Sequence, residues 1–176
     1  MNRLGKTVSS ALAVLLLAAA VGLPVSRQAR ANVDFRVLLQ QHFDAHNRGD
    51  VAAVMNTLSD DVFMATPGLC FAAPCVGKAS VQREIENRIS LHANLTLVSL
   101  TESSGVGSGR LRVTADNIRA CNVERIFVNF DAEVKNDRIS RYTARPDVTD
   151  GPTAAYFACV SGASVRPPST GDAGLR

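Results

Sequence analysis

Ile126-Phe127-Val128-Asn129-Phe130-Asp131-Ala132-Glu133-Val134, then Lys135-Asn136-Asp137, then Arg138-Ile139-Ser140-Arg141-Tyr142-Thr143-Ala144-Arg145, decides the fold. Side chains along a strand alternate between faces, and a short polar turn joins antiparallel neighbours, so this stretch predicts a hairpin. Phe127, Asn129, Asp131 and Glu133 share one face, with apolar residues between them, and the pattern alone does not say which face is inward. Upstream, Leu111 to Ile118 and Leu95 to Leu100 read as further strands, with a flexible connection over 103–109. Before them the period changes to that of helices. Phe35, Leu38, Leu39, Phe43 and Ala45 mark a first helix over Asp34 to Arg48, which Gly49 can end. Asp50 can cap a second helix over Val51 to Leu58. A strand from Val62 to Thr66 stops at Pro67-Gly68. A third helix follows Gly77-Lys78, with Ser80 as its cap, Val81, Ile85, Ile89 and His92 at helical spacing, and Arg83, Glu84, Glu86 and Arg88 facing mostly outward. Ala154 to Val160 reads as a short apolar patch. Helices first and antiparallel strands after predict an α+β class: a cone-shaped, curved antiparallel sheet wrapped around three N-terminal helices, with an apolar hollow between them.

The two ends of the 176-residue chain read differently. Arg3 and Lys6 precede an apolar run from Ala11 to Leu23, and Ala29-Arg30-Ala31 offers small residues for cleavage, so residues 1–31 are expected to be a secretory signal peptide. Residues 32–160 form the expected domain and 161–176 an expected disordered tail. The whole chain has 19 basic and 16 acidic residues, a net charge of +3. Four of the bases, Arg3, Lys6, Arg27 and Arg30, lie in the leader with no acid beside them. The remaining 15 bases against 16 acids give about −1, which argues against nucleic acid as a partner. No membrane association is expected after cleavage, and the location is secreted or periplasmic. All four cysteines, Cys70, Cys75, Cys121 and Cys159, follow the leader, and an even number in an exported chain predicts two disulfides. Three pairings exist. The favoured one closes the short loop with Cys70–Cys75 and ties the C-terminal segment to the sheet with Cys121–Cys159. Zinc fits this spacing poorly.

Five stretches carry a family resemblance: residues 43–50 (Phe43 to Asp50), Leu58-Ser59-Asp60-Asp61-Val62, Gly77-Lys78-Ala79-Ser80-Val81, Val123-Glu124-Arg125-Ile126 and the hairpin from Glu133 to Ile139. In order and spacing they resemble the nuclear transport factor 2-like superfamily, in its SnoaL-like (polyketide cyclase-like) branch, over residues 34–147. The Cys-x4-Cys loop resembles a subset of exported bacterial members without assigned function. The fold hosts isomerases, dehydratases, cyclases, hydrolases and binding proteins alike, so the resemblance implies a fold more than an activity.

Members similar to limonene epoxide hydrolase carry Arg-x-Asp on one strand and a second Asp on the last. Here the resemblance places Asp116 at the first carboxylate, but Thr114 stands at the arginine, with Arg112 two residues earlier. The second carboxylate is either missing or displaced to Asp147. The steroid-isomerase aspartate corresponds to Thr66, which cannot take a carbon-bound proton. The catalytic candidates are therefore Asp116 with Arg112, Tyr142 and His92. Phe43, Phe63, Phe127, Asn129 and Asp131 are candidate ligand contacts. His42 and His46 stand four apart on one helix, a chelating spacing that nothing nearby completes, so no metal and no cofactor are expected. The reading favoured from sequence is an exported domain that binds a small apolar molecule. A lyase or hydrolase using Asp116 and a homodimer formed through the sheet are the alternatives.

Overall fold

The computed structural model describes residues 34–162. The expected signal segment, 1–31, and most of the expected tail fall outside these residues. Helix α1 (Phe35–Asn47) starts where the Asp34 carboxylate accepts the main-chain N–H groups of Arg36 and Val37. It buries Phe35, Leu38, Leu39, His42, Phe43 and His46. Gly49 takes the left-handed conformation that ends it, and the Asp50 side chain caps α2 (Val51–Asn56) through the Ala53 N–H. Helix α2 stops two residues earlier than expected because Ile139 donates its N–H to the Thr57 carbonyl and draws Leu58 into a strand. Strand β1 (Leu58–Ala65), the two-residue strand β2 (Cys75–Val76) and α3 (Lys78–Ser90) follow. Gly77, not Ser80, is the α3 cap position, and the Ser80 hydroxyl donates back to the carbonyls of Val76 and Gly77.

Strands β3 (Asn94–Ser103) and β4 (Val106–Thr114) form a long hairpin. The segment 103–109 is therefore not a flexible connection. It contains a two-residue turn at Ser104-Gly105, both with positive φ, the conformation whose twist matches antiparallel strands. The strand expected to reach Ile118 ends at Thr114, and α4 (Asp116–Ala120) replaces its last residues. Strands β5 (Ile126–Lys135) and β6 (Arg138–Pro146) are the hairpin predicted above, turning at Asn136-Asp137. The apolar patch belongs to a ten-residue helix, α5 (Gly151–Val160), capped by Asp150, which accepts the Thr153 N–H and hydroxyl.

The six strands make one curved sheet in the order β2-β1-β6-β5-β4-β3, with β1 and β6 parallel and the other pairs antiparallel. The α+β class is as expected. One face packs on α1 and α3, and at its centre the rings of Phe130 and Tyr142 stack 5.6 Å apart, with Phe43 edge-on to both. Both favoured disulfides, Cys70–Cys75 and Cys121–Cys159, are formed. Gly109 lies where β3 and the Phe130 ring leave no space: an added Cβ would sit 2.2 Å from the Ser99 carbonyl oxygen and 2.7 Å from Phe130 Cε1. Gly109→Ala is therefore expected to destabilise the fold by about 1–3 kcal/mol in urea unfolding, because the backbone oxygen cannot turn away. A loss below a few tenths of a kcal/mol would contradict this packing.

Candidate functional site

A cavity of about 130 Å³ lies between the inner sheet face and the helices. Its wall is mainly apolar, with Leu95, Leu111, Val113, Ile126, Val128 and Ala144 from the sheet and Leu91 and Ile118 from the helical side. The strand residues reach it by period two: Ile126, Val128 and Phe130 turn inward, so Phe127, Asn129 and Asp131 turn outward. That resolves the phase the sequence left open, and it corrects most of the expected ligand contacts. Phe127 lies on the outer face, sandwiched between the Arg110 and Arg125 guanidiniums at 3.8 and 4.2 Å. Asn129 and Asp131 are exposed beside it. Phe63 is covered by Arg141 at 4.3 Å, in a separate surface basin. Phe43 is buried in the core without lining the cavity.

Of the catalytic candidates, Tyr142 lines the cavity. Its phenol pKa is pushed up by burial, so it stays protonated, a neutral hydrogen-bonding group. Asp116, Arg112 and His92 do not line the cavity. Asp116 opens α4 with its side chain 48% exposed, its two oxygens taken by His92 Nδ1 at 2.6 Å and by Arg119 at 2.5 Å. The hydrogen bond from His92, then that from Arg119, holds its pKa below the usual carboxylate range. The His92 side chain is 78% exposed, on a residue with φ +49°, just beyond α3. Arg112 is exposed on β4. The strand that was to aim Asp116 inward had already given way to α4.

The charged groups inside the cavity are ones expected to face water. Glu84 is fully buried and Arg88 has 17% of its side chain exposed. Arg88 Nε donates to Glu84 Oε1 at 2.5 Å, and the Leu69 N–H donates to Oε2 at 2.7 Å. Arg88 Nη2 donates to the Thr66 hydroxyl and, at 3.2 Å, to the Pro67 carbonyl. Gly68 is shaped for this arrangement, because a Cβ there would lie 2.3 Å from Glu84 Oε1 and its φ is +130°. A signal for the pair was present: positions 81, 84, 85 and 88 fall on one helical stripe, so Glu84 and Arg88 share the face of Val81 and Ile85. Both Glu84 oxygens are engaged, which leaves this carboxylate poorly placed to take a proton from a ligand.

His42 and His46 are buried on α1, close enough to Arg88 to feel its charge. The Thr57 hydroxyl donates its only proton to the Val54 carbonyl at 2.6 Å, so the 2.7 Å contact to His42 Nδ1 requires that nitrogen to be the donor. Burial, then the charge of His46, then that of Arg88, lowers the His42 pKa to about 3. Burial, then Arg88, lowers that of His46 to about 4. Neither ring nitrogen of His46 has a partner at hydrogen-bond geometry, while the neighbouring Asn47 amide exchanges hydrogen bonds with the Leu95 main chain. Among the described residues no group of three or more ligating side chains could hold a metal ion.

At the far wall, α4 and α5 contribute Asn117 and Tyr156. Asn117 Nδ2 donates to the Tyr156 hydroxyl at 2.9 Å, and Asn117 Oδ1 is buried without a partner. Sequence reasoning passed over both, because the segments holding them were read as a strand and as a short apolar patch.

No protein-family model matches the sequence, and no curated protein sequence matches it. Solved structures do resemble the fold. An NTF2-like protein of unknown function from Cytophaga hutchinsonii is similar with a TM-score of 0.54 at 12% identity, over 68% of this chain and 96% of that one. A candidate ketosteroid isomerase from Kribbella flavida gives 0.53 at 20%, over 64% and 76%. A candidate polyketide cyclase from Sinorhizobium meliloti gives 0.53 at 16%, over 62% and 94%. At these identities the likeness concerns architecture alone, and on architecture the sheet order, the helices and the hollow between them give this chain the nuclear transport factor 2-like fold.

Proposed function

We propose that this chain is an exported domain that binds a small, largely apolar molecule in the cavity between its sheet and helices. The observation that carries the reading is the cavity's composition: an aliphatic wall interrupted by a few buried polar groups, the usual make-up of a site that orients a small ligand. Its volume of about 130 Å³ is close to that of cavities that take up one benzene-sized molecule, roughly 150 Å³. Single-ring compounds are the right scale. The two disulfides are compatible with an oxidising compartment, and no helix among the described residues is long and apolar enough to cross a membrane.

A thermal-shift series with toluene and its analogues tests this. A ligand at ten times its dissociation constant adds about 1.4 kcal/mol of stability, a rise of roughly 4 °C for a domain of this size. Ala144→Leu fills the cavity from β6 and is expected to abolish the shift. If no single-ring compound stabilises the protein, the binding reading is wrong.

A further inference from the structure

The wall formed by Asn117 and Tyr156 is specific about what it leaves unanswered. With Asn117 Nδ2 donating to the Tyr156 oxygen, the buried Oδ1 lacks a donor, and the Tyr156 O–H proton is still available to an acceptor. Turning the amide over exchanges these roles. Tyr156 then donates to Oδ1, and what remains is an N–H of Asn117 beside a lone pair of the Tyr156 oxygen. In both orientations the pair offers at least one donor and one acceptor, and both residues belong to the wall of this mainly apolar cavity. Burial keeps the Tyr156 phenol protonated by raising its pKa.

The chemistry that answers such a pair is narrow. An ether or ketone oxygen only accepts, and a hydrocarbon does neither. A hydroxyl donates and accepts from one atom, and it is the smallest group that satisfies both. Charge narrows the class further. Glu84 and Arg88 are the charged residues lining the cavity, and they neutralise each other at 2.5 Å, so no net charge there calls for an ionised ligand. We infer that the cavity takes a neutral single-ring alcohol or phenol, with its hydroxyl bridging Asn117 and Tyr156 and its ring against the aliphatic strand residues. This rests on the small-molecule-binding reading above.

Isothermal titration of phenol, anisole and toluene into the full, disulfide-bonded chain separates the two claims. The expected result is phenol binding at least about tenfold more tightly than either of the others, because only phenol relieves the buried acceptor and uses the donor. Tyr156→Phe, which keeps the ring's packing, and Asn117→Leu should each reduce that preference to about twofold or less while toluene still binds. Phenol and toluene within twofold of each other in the parent protein would overturn the inference and leave the cavity reading standing. A phenol preference that survives both substitutions would also overturn it, by placing the hydroxyl elsewhere. Failure of all three probes would sink the binding reading itself, and this inference with it.

Discussion

Glu84→Ala is expected to cost the fold about 3–5 kcal/mol, read as a shift of the urea midpoint at unchanged slope. The loss comes from what is left behind. Arg88 would keep its charge with most of its side chain out of water, and the Leu69 N–H would lose its acceptor. Its bonds to Thr66 and Pro67 hold the guanidinium in place, so it cannot swing out to be solvated. Replacing both partners with apolar residues, Glu84→Met with Arg88→Met, should be much milder than Glu84→Ala alone, since no buried charge is stranded. A single-substitution loss under about 1 kcal/mol would mean that the pair is not buried as described.

Acidification should destabilise the protein well before its carboxylates titrate. His42 and His46 have pKa values of about 3 and 4 in the folded state and near 6.5 when unfolded. The unfolded chain therefore binds more protons below pH 6.5, and stability falls with pH from there downward. It is fully retained above that value. Between pH 7 and pH 4 the pair can withdraw at most about 6 kcal/mol, comparable to the whole stability of many domains. The paired carboxylates Asp60, Asp116, Asp147 and Asp150, whose pKa values are lowered, add their loss only at more acid pH. Urea midpoints measured from pH 7.5 to 4.5 check this directly. His46→Leu should reduce the slope by about one proton. Flat stability from pH 7 to 5 would show that these rings are not held neutral by burial.

The architecture was legible because it is written in periodicity. Alternation from Ile126 to Arg145 with a polar three-residue break admits few other forms, and the capping residues Asp34, Gly49 and Asp50 act in the structure where helix physics puts them. The number of disulfides followed from the cysteine count, and the favoured one of three possible pairings is the one formed. The site was much less legible, for two separable reasons. A strand pattern states which residues share a face but not which face is buried, so Phe127, Asn129 and Asp131 were assigned to the wrong side. In α3, charged residues were assumed to face water, although Glu84 and Arg88 stood on the stripe of Val81 and Ile85; their mutual pairing is what makes burial tolerable. Asn117 and Tyr156 were hidden by local form. Ala115 ends the strand run before α4, and nothing in a mostly small, apolar stretch after Pro152 announces that a helix will bring a tyrosine to the cavity.

The position of β6 sets the order in which this protein can be completed. The strand made last lies in the middle of the sheet, between β1 and β5, and it joins Leu58 to Ile139 in parallel register. Until it arrives, the earlier strands exist as two separate fragments, β1 with β2 and β3 through β5, each with an unpaired edge. Completion of the sheet therefore waits for β6 and for closure of a loop spanning most of the domain, the kind of long-range pairing that makes folding slow. A nascent chain of this design stays open until its final third is available.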